Sequence, residues 1–185
     1  MDPPHPALVS VLAVPLLGRY HPFAFAGEVR GMESVQLEWQ RVVDILATIC
    51  RVPSAIITRF EAPEIEVMCA SSTSGNPYHS GLRGTMGGHY CEGIFRTGER
   101  LRVTNAVQDP DWCDAPEVRY GMVAYLGYPL HRPDGSLFGT LCILDSQENL
   151  FSELFEELMV ELCSLIEAQL RLVAQKEELE RQREE

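Results

Sequence analysis

Basic residues are scarce in this sequence of 185 residues, a length typical of one domain. It contains 15 lysines and arginines against 27 aspartates and glutamates, so the net charge at pH 7 is −12. A field of that sign repels phosphate backbones and anionic lipid headgroups, and no local cluster of basic residues offsets it. The composition therefore predicts a protein that binds neither nucleic acid nor a membrane surface.

The cysteines lack the spacing of a structural metal site. There are six, the sequence has no Cys-x-x-Cys, and the nearest two, Cys50 and Cys69, are 19 residues apart. Several lie inside apolar runs such as TLCIL, where a free cysteine behaves as a small hydrophobic residue. We therefore expect reduced thiols, no metal and a cytoplasmic location, while a regulatory cysteine pair stays possible.

The apolar run at residues 7–18 (ALVSVLAVPLLG) has only 12 residues, too few to cross a bilayer. It also lacks the positive leading region of a signal peptide, because Asp2 is the only charge before it. We interpret residues 1–31 as an N-terminal appendage to a domain that begins near residue 32.

Two helices with apolar stripes frame the rest of the chain. The first is predicted from about Glu33 to Pro53, and the second from about Asn149 to the end of the sequence. Their apolar residues are spaced four and three apart: Val35, Trp39, Val42, Leu46 and Ile49 in the first helix, and Phe151, Phe155, Leu158, Leu162 and Leu165 in the second. The charged tail QKEELERQREE cannot bury itself alone, which favours a partner helix.

Between these helices the pattern predicts strands joined by tight turns. Residues 54–60 and 64–70 form one expected hairpin, and residues 122–130 and 137–145 form a second around a Pro-Asp-Gly turn. Residues 71–88 are expected to form a long loop, 89–98 a short helix closed by Gly98, and 101–106 a further strand. The predicted fold class is α+β with a central antiparallel sheet of five to six strands.

The segment MVAYLGYPLHRPDGSLFGTLCILD resembles the signature hairpin of GAF domains. SSTSGNPY, YCE and NA-x-x-DP-x-W precede it in the order found in a bacterial subgroup of that family, and the resemblance covers roughly residues 33–170. It implies a sheet with the first and last helices packed on one face and a small-molecule pocket, roofed by loops and short helices, on the other. It also implies a sensory module upstream of a histidine kinase, a diguanylate cyclase or a phosphodiesterase.

The expected ligand-binding residues are aromatic and polar side chains on the roof and on the strands beneath it. An apolar wall with a few polar tips is what a small-molecule site needs. The candidates are Tyr78, Tyr90, Cys91, Asn105, Trp112, Cys113, Tyr125, Tyr128, Thr140 and Cys142. The alternative is that the aromatic residues fill a core beneath the roof, with Asp109 and Trp112 fixing a turn.

The ligand itself is not identifiable, and no cofactor is expected. His79 and His89 could ligate metal or haem, but each stands alone without a carboxylate or thiolate at ligand spacing. The Cys-His pair of bilin-binding relatives and the Asn-Lys-Phe-Asp-Glu pattern of cyclic-nucleotide-binding relatives are both absent from the sequence.

The resemblance also suggests one specific enzymatic activity as an alternative to ligand binding. Some GAF domains reduce free methionine-R-sulfoxide with a cysteine pair, and Cys91 and Cys113 fall roughly where that pair would be; the same two residues could form a redox switch. However, Tyr125, Cys142 and Leu144 occupy positions where those reductases carry the acidic residues that hold the substrate's amino group. An unpaired, desolvated ammonium is costly, so we expect a binding module and not an enzyme.

The two helical stripes favour a parallel homodimer through residues 33–50 and 150–185. Leu172 and Leu179 continue the second stripe into the charged tail, where residues 171–185 form the expected signalling helix. The plainer alternative is a dimerisation domain with a packed interior and no ligand.

Overall fold

The computed structural model describes residues 28–184 and has the predicted α+β class, with one six-stranded antiparallel sheet. Its helices are α1 (Glu28–Cys50), α2 (Tyr90–Thr97), α3 (Pro116–Arg119) and α4 (Glu153–Glu184). Its strands are β1 (Ser54–Glu61), β2 (Glu64–Ala70), β3 (Arg83–Thr85), β4 (Leu101–Val103), β5 (Ala124–His131) and β6 (Leu137–Asp145). Most of the expected appendage, residues 1–27, lies outside the described residues, and residues 28–31 already belong to α1.

Both predicted hairpins form, and they place β1 and β6 side by side at the centre of the sheet. The strand order is β3-β2-β1-β6-β5-β4. β6 has the predicted bounds, and α2 ends where expected because Gly98 adopts the left-handed conformation with φ of 70°. Residues 71–88 are not entirely a loop as predicted, because Arg83–Thr85 forms a short edge strand that pairs with β2.

Each face of the sheet carries its own core. One lies beneath α1 and α4, with Trp39 and Met159 fully buried. The other lies beneath α2, α3 and the loop after β2, with Tyr90 and Ile94 fully buried. This is the two-sided arrangement that the resemblance implied, and it leaves the second face to form a site.

The predicted helical stripes are partly wrong. Ile49 and Leu165 are about half exposed, whereas Val43 and Ile166 are fully buried. The prediction followed a spacing of 3.5 residues, but a straight helix on a sheet repeats every 3.6, so the two patterns drift apart along the helix. The residues that drift outward form an exposed apolar surface.

α4 begins later than predicted. Phe151 is buried with φ of 48°, and its amide donates to Asn149 Oδ1 over 2.8 Å. The chain therefore turns before Ser152, whose backbone oxygen accepts from Phe155 N at the start of the helix. None of the helices in residues 28–184 has the length and apolar character needed to cross a membrane.

Candidate functional site

A cavity of about 300 Å³ lies between the second face of the sheet and its roof. β1, β2, β5 and β6 supply its floor, while the loop after β2, α2 and α3 supply the roof. The lining residues are Ile56, Thr58, Ile65, Val67, Pro77, Tyr78, His79, Leu82, Arg83, Gly84, Thr85, His89, Cys91, Glu117, Tyr120, Tyr125 and Leu144. Its volume is at the lower end of the range for small-molecule sites.

Glu117 on α3 brings a carboxylate into this mostly apolar cavity. The residue is only 4% exposed. Its Oε1 accepts from His89 Nδ1 over 2.9 Å and from the Tyr90 backbone amide over 3.1 Å. Its Oε2 is buried and has no hydrogen-bond partner. Buried carboxylate oxygens are normally paired, so this atom marks a place where a donor is missing.

His89 holds that carboxylate in place. Burial alone would lower the pKa of the imidazole, but the hydrogen bond to Glu117 and the charge of that carboxylate outweigh burial and raise the pKa above its ordinary value. From the sequence, His89 is an unremarkable loop histidine, and Glu117 is not among the predicted site residues. A lone glutamate in PEVR carries no local signal of burial.

Tyr78 presents a second unpartnered polar atom. Its hydroxyl is buried without a hydrogen bond. Burial, followed by the nearby negative charge of Glu117, raises the pKa of the phenol well above its usual range. Asn76 holds the segment in place, because its Oδ1 accepts from Tyr78 N over 3.0 Å while its Nδ2 donates to Ser71 O over 2.8 Å.

Two adjacent thiols, Cys91 on α2 and Cys142 on β6, meet where the roof packs on the sheet. Cys91 Sγ lies 3.4 Å from Tyr125 Oη and 3.5 Å from Thr140 Oγ1, which is itself 3.0 Å from Cys142 Sγ. A hydrogen bond from Cys142 lowers the pKa of Cys91 despite complete burial, and burial raises the pKa of Cys142. Gly127 permits this arrangement, because a side chain there would overlap the Tyr125 ring.

Three aromatic residues support the roof. The Tyr90 ring lies 4.9 Å from that of Tyr125 and 5.4 Å from that of Trp112, measured between centroids. Tyr90 also donates its hydroxyl to Met122 O over 3.1 Å. The stack fixes α2 and the turn around Trp112 over the sheet, as the alternative of a core beneath the roof anticipated.

The ten sequence-predicted site residues fall into three groups. Tyr78, Cys91 and Tyr125 line the cavity. Tyr90, Trp112, Thr140 and Cys142 lie behind its wall, in contact with those residues or with each other. The remaining three, Asn105, Cys113 and Tyr128, do not line it.

The prediction that Tyr128 faces the pocket is wrong. Tyr128 packs against the core beneath α1 and α4, on the opposite face of the sheet. Successive side chains of a strand point to opposite faces, so a residue three positions after Tyr125 cannot share its face.

Asn105 and Cys113 occupy turns away from the cavity. Asn105 accepts from Val107 N over 3.2 Å and donates to Glu148 Oε2 over 2.9 Å, which caps a turn of 3₁₀ helix. Cys113 is exposed, and its thiol donates a weak bond of 3.8 Å to Pro110 O. The structure therefore places Cys91 against Cys142, and not against the predicted partner Cys113.

These environments predict a sharp difference in thiol reactivity. In the native protein, we expect iodoacetamide to alkylate Cys113 quickly and the other five cysteines at least about a hundredfold more slowly. The five are buried, and burial raises the pKa of Cys50 to about 11 and those of Cys69 and Cys163 to about 12. Peptide mass mapping after timed alkylation measures this. Fast labelling that persists in Cys113→Ser would contradict it.

Part of the chain is similar in sequence to a known protein. A segment of 72 residues is 37% identical to the diguanylate cyclase DgcP of Escherichia coli K12, covering 38% of this chain and 21% of that protein. The chain thus matches about a fifth of the length of this relative.

Two solved structures show the same architecture. The GAF domain of a phosphoenolpyruvate-protein phosphotransferase from Coxiella burnetii superposes with a TM-score of 0.63 at 19% identity, covering 81% of this chain and 94% of that one. A type II free methionine-R-sulfoxide reductase from Thermoplasma acidophilum gives 0.62 at 12% identity, covering 77% and 96%. The family model for the GAF domain matches residues 35–170, so the chain belongs to the GAF domain family.

Proposed function

We propose that this GAF domain is a sensory module of bacterial signal transduction that binds a small molecule in the roofed cavity. The observation that carries the proposal is a cavity of about 300 Å³ with aliphatic walls and two buried polar atoms that lack partners, on Glu117 and Tyr78. A few convergent polar groups in an apolar pocket are what a small-molecule site requires. A packed, ligand-free dimerisation domain would leave no such space.

The central strands offer a route for the signal. Tyr125 on β5 faces the cavity, while its neighbour Leu126 faces the core beneath α1 and α4. On the α1 side, Gln36 and Gln40 donate to the backbone oxygens of Met68 and Ala70 on β2, over 3.0 and 2.8 Å. A ligand that favours one roof position would shift the population of helix arrangements through these contacts.

A cavity-filling substitution tests the site. We expect Ile65→Trp to abolish ligand binding, because Ile65 lines the cavity from β2 and an indole would occupy its space. Both proteins are purified from cells and compared by native mass spectrometry. We expect the unsubstituted protein to carry the added mass of a bound molecule and Ile65→Trp to lack it. Glu64→Trp is the control, since the adjacent side chain is exposed and does not line the cavity. Retention of the passenger by Ile65→Trp would contradict the assignment.

The exposed apolar residues of α1 and α4 support a homodimer. The residues that we assign to the interface are each between 48% and 66% exposed: Ile45, Ile49, Leu154, Leu165, Leu172 and Leu179. Ser54 pairs with Leu144, so α1 ends near the start of α4, and Trp39 Nε1 donates to Gln169 Oε1 over 2.7 Å further along. The two helices thus run antiparallel and in contact, and we propose that a second copy covers their exposed apolar residues as one shared surface.

The signal would pass from α4 to an effector such as a cyclase or kinase. The partial match to a diguanylate cyclase supports a cyclase. We propose that the protein is cytoplasmic. This is consistent with the six cysteines of residues 28–184, which are all free thiols.

We propose that the domain acts by binding and not by catalysis. The sulfoxide reductase alternative needs an accessible thiol pair, and Cys91 is buried against Cys142 while Cys113 is exposed elsewhere. A redox switch at these thiols would therefore join Cys91 and Cys142. An assay of free methionine-R-sulfoxide reduction tests the alternative, and turnover lost in Cys113→Ser would favour it.

A further inference from the structure

The unpartnered oxygen of Glu117 indicates what kind of molecule the cavity takes. This inference rests on the proposed function, since it identifies the chemistry of the ligand at the same site. An ionised carboxylate is an acceptor only, so a complement to Oε2 must bring a hydrogen-bond donor. The oxygen is buried, and the side chain as a whole is 6% exposed.

Among residues 28–184, no part of the cavity wall supplies that donor. His89 Nδ1 and the Tyr90 amide both bond to Oε1. Arg83 also lines the cavity, but its guanidinium bonds to Glu61 and Glu66 over 3.1 and 2.8 Å. Within the described residues, the cavity therefore holds a carboxylate whose second oxygen has no cationic partner.

The Tyr78 hydroxyl extends the recognition surface. It is buried without a partner, and Tyr78 lines the same cavity as Glu117. A primary ammonium carries three donors in a compact group, so it can donate to more than one acceptor of the cavity wall. A carboxylate or phosphate in the same position would meet a like charge.

The rest of the wall sets the body of the ligand. Ile56, Ile65, Val67 and Leu144 are aliphatic and give the cavity an apolar floor. The volume suits a molecule the size of an amino acid or an arylalkylamine and not a nucleotide or a tetrapyrrole. The net charge of −12 favours approach by a cation.

We propose that the cavity binds a small organic amine, with its ammonium held by Glu117 and Tyr78 and its apolar body against β1, β2 and β6. Glu117→Gln isolates the effect of the carboxylate. The amide oxygen can still accept from His89 and Tyr90, while the amide nitrogen turns a donor toward the cavity, where it repels an ammonium. We expect amine affinity to fall by about tenfold to a hundredfold.

The experiment uses matched sets of small probes on common frameworks. Each set holds an amine, an alcohol and a carboxylic acid, for example 2-phenylethylamine, 2-phenylethanol and 3-phenylpropionic acid. Binding is measured by shifts of backbone amide resonances in the full chain, with Asp114→Asn as the control variant. Asp114 is exposed three residues before Glu117 and does not line the cavity, so its loss removes the same charge.

The expected result is that amines bind more tightly than their matched alcohols and acids, and that only Glu117→Gln weakens them strongly. Tyr78→Phe should weaken amines less than Glu117→Gln does. Acids or alcohols that bind in the cavity as well as the amines, or amine affinity unchanged in folded Glu117→Gln, would overturn the inference while leaving the proposed binding function intact. Cavity resonances that respond to no probe in any set would overturn the proposed function as well.

Discussion

Gly139→Ala is expected to abolish stable folding, with a loss of at least about 3 kcal/mol in the free energy of unfolding. Gly139 lies on β6 at the centre of the sheet, paired with Arg59 of β1. A Cβ at this position would overlap the Thr58 carbonyl oxygen, which belongs to the backbone and cannot turn aside as a side chain could. Relief requires β1 and β6 to separate, and this pair joins the two halves of the sheet.

Gly84→Ala is the matched control, because Gly84 also lies in a strand but has nothing within 4 Å of the place that an added methyl group would occupy. We expect its free energy of unfolding to stay within about 1 kcal/mol of the unsubstituted protein, with a slight gain from reduced freedom of the unfolded chain. Urea denaturation followed by circular dichroism measures both variants. Equal stability of the two alanine variants would contradict the prediction, because it would show that β1 and β6 can accommodate a Cβ at residue 139.

Most of the fold is predictable because its signals are local. The Pro-Asp-Gly turn and the apolar run after it predict β6 to the residue, and Gly98 marks the end of α2. β3 escapes prediction because three residues, Arg83–Thr85, carry no pattern of their own and become a strand only by pairing with β2. The exposed faces of α1 and α4 are partly misplaced because a spacing of four and three is compatible with both a 3.5 and a 3.6 repeat.

The candidate site is less predictable because its key contacts join distant parts of the chain. Glu117 meets His89 and Tyr90 across 28 and 27 residues, and nothing in PEVR indicates that its carboxylate is buried. The sequence predicts no reductase activity because acidic residues are missing from the strand positions that would hold the amino group of the substrate. In the structure, Glu117 supplies a carboxylate to the cavity from the roof. The misplacement of Tyr128 is avoidable, since strand alternation from Tyr125 places it on the helix side.

Adding a negative charge to the exposed leucines of α4 is expected to raise the dimer dissociation constant by at least about a hundredfold. The variant is Leu172→Glu combined with Leu179→Glu. In one protomer these residues are 64% and 57% exposed, so their replacement should cost the folded protomer little. In the proposed dimer, each substitution would remove an apolar contact across the interface. It would also place a carboxylate near the same carboxylate of the second copy. Sedimentation equilibrium over a range of protein concentrations measures the constant.

Val160→Glu separates the effect of position from the effect of charge. Val160 is 47% exposed on the same helix, but it lies about 120° around the axis from Leu172 and so outside the shared apolar surface. It adds one carboxylate to an already acidic chain, as each leucine substitution does. If the leucine stripe forms the interface, Val160→Glu leaves the dimer intact while the leucine variant is monomeric and retains its thermal stability. The interface assignment would be wrong if the unsubstituted protein were monomeric, or if Val160→Glu weakened the dimer as much as the leucine variant does.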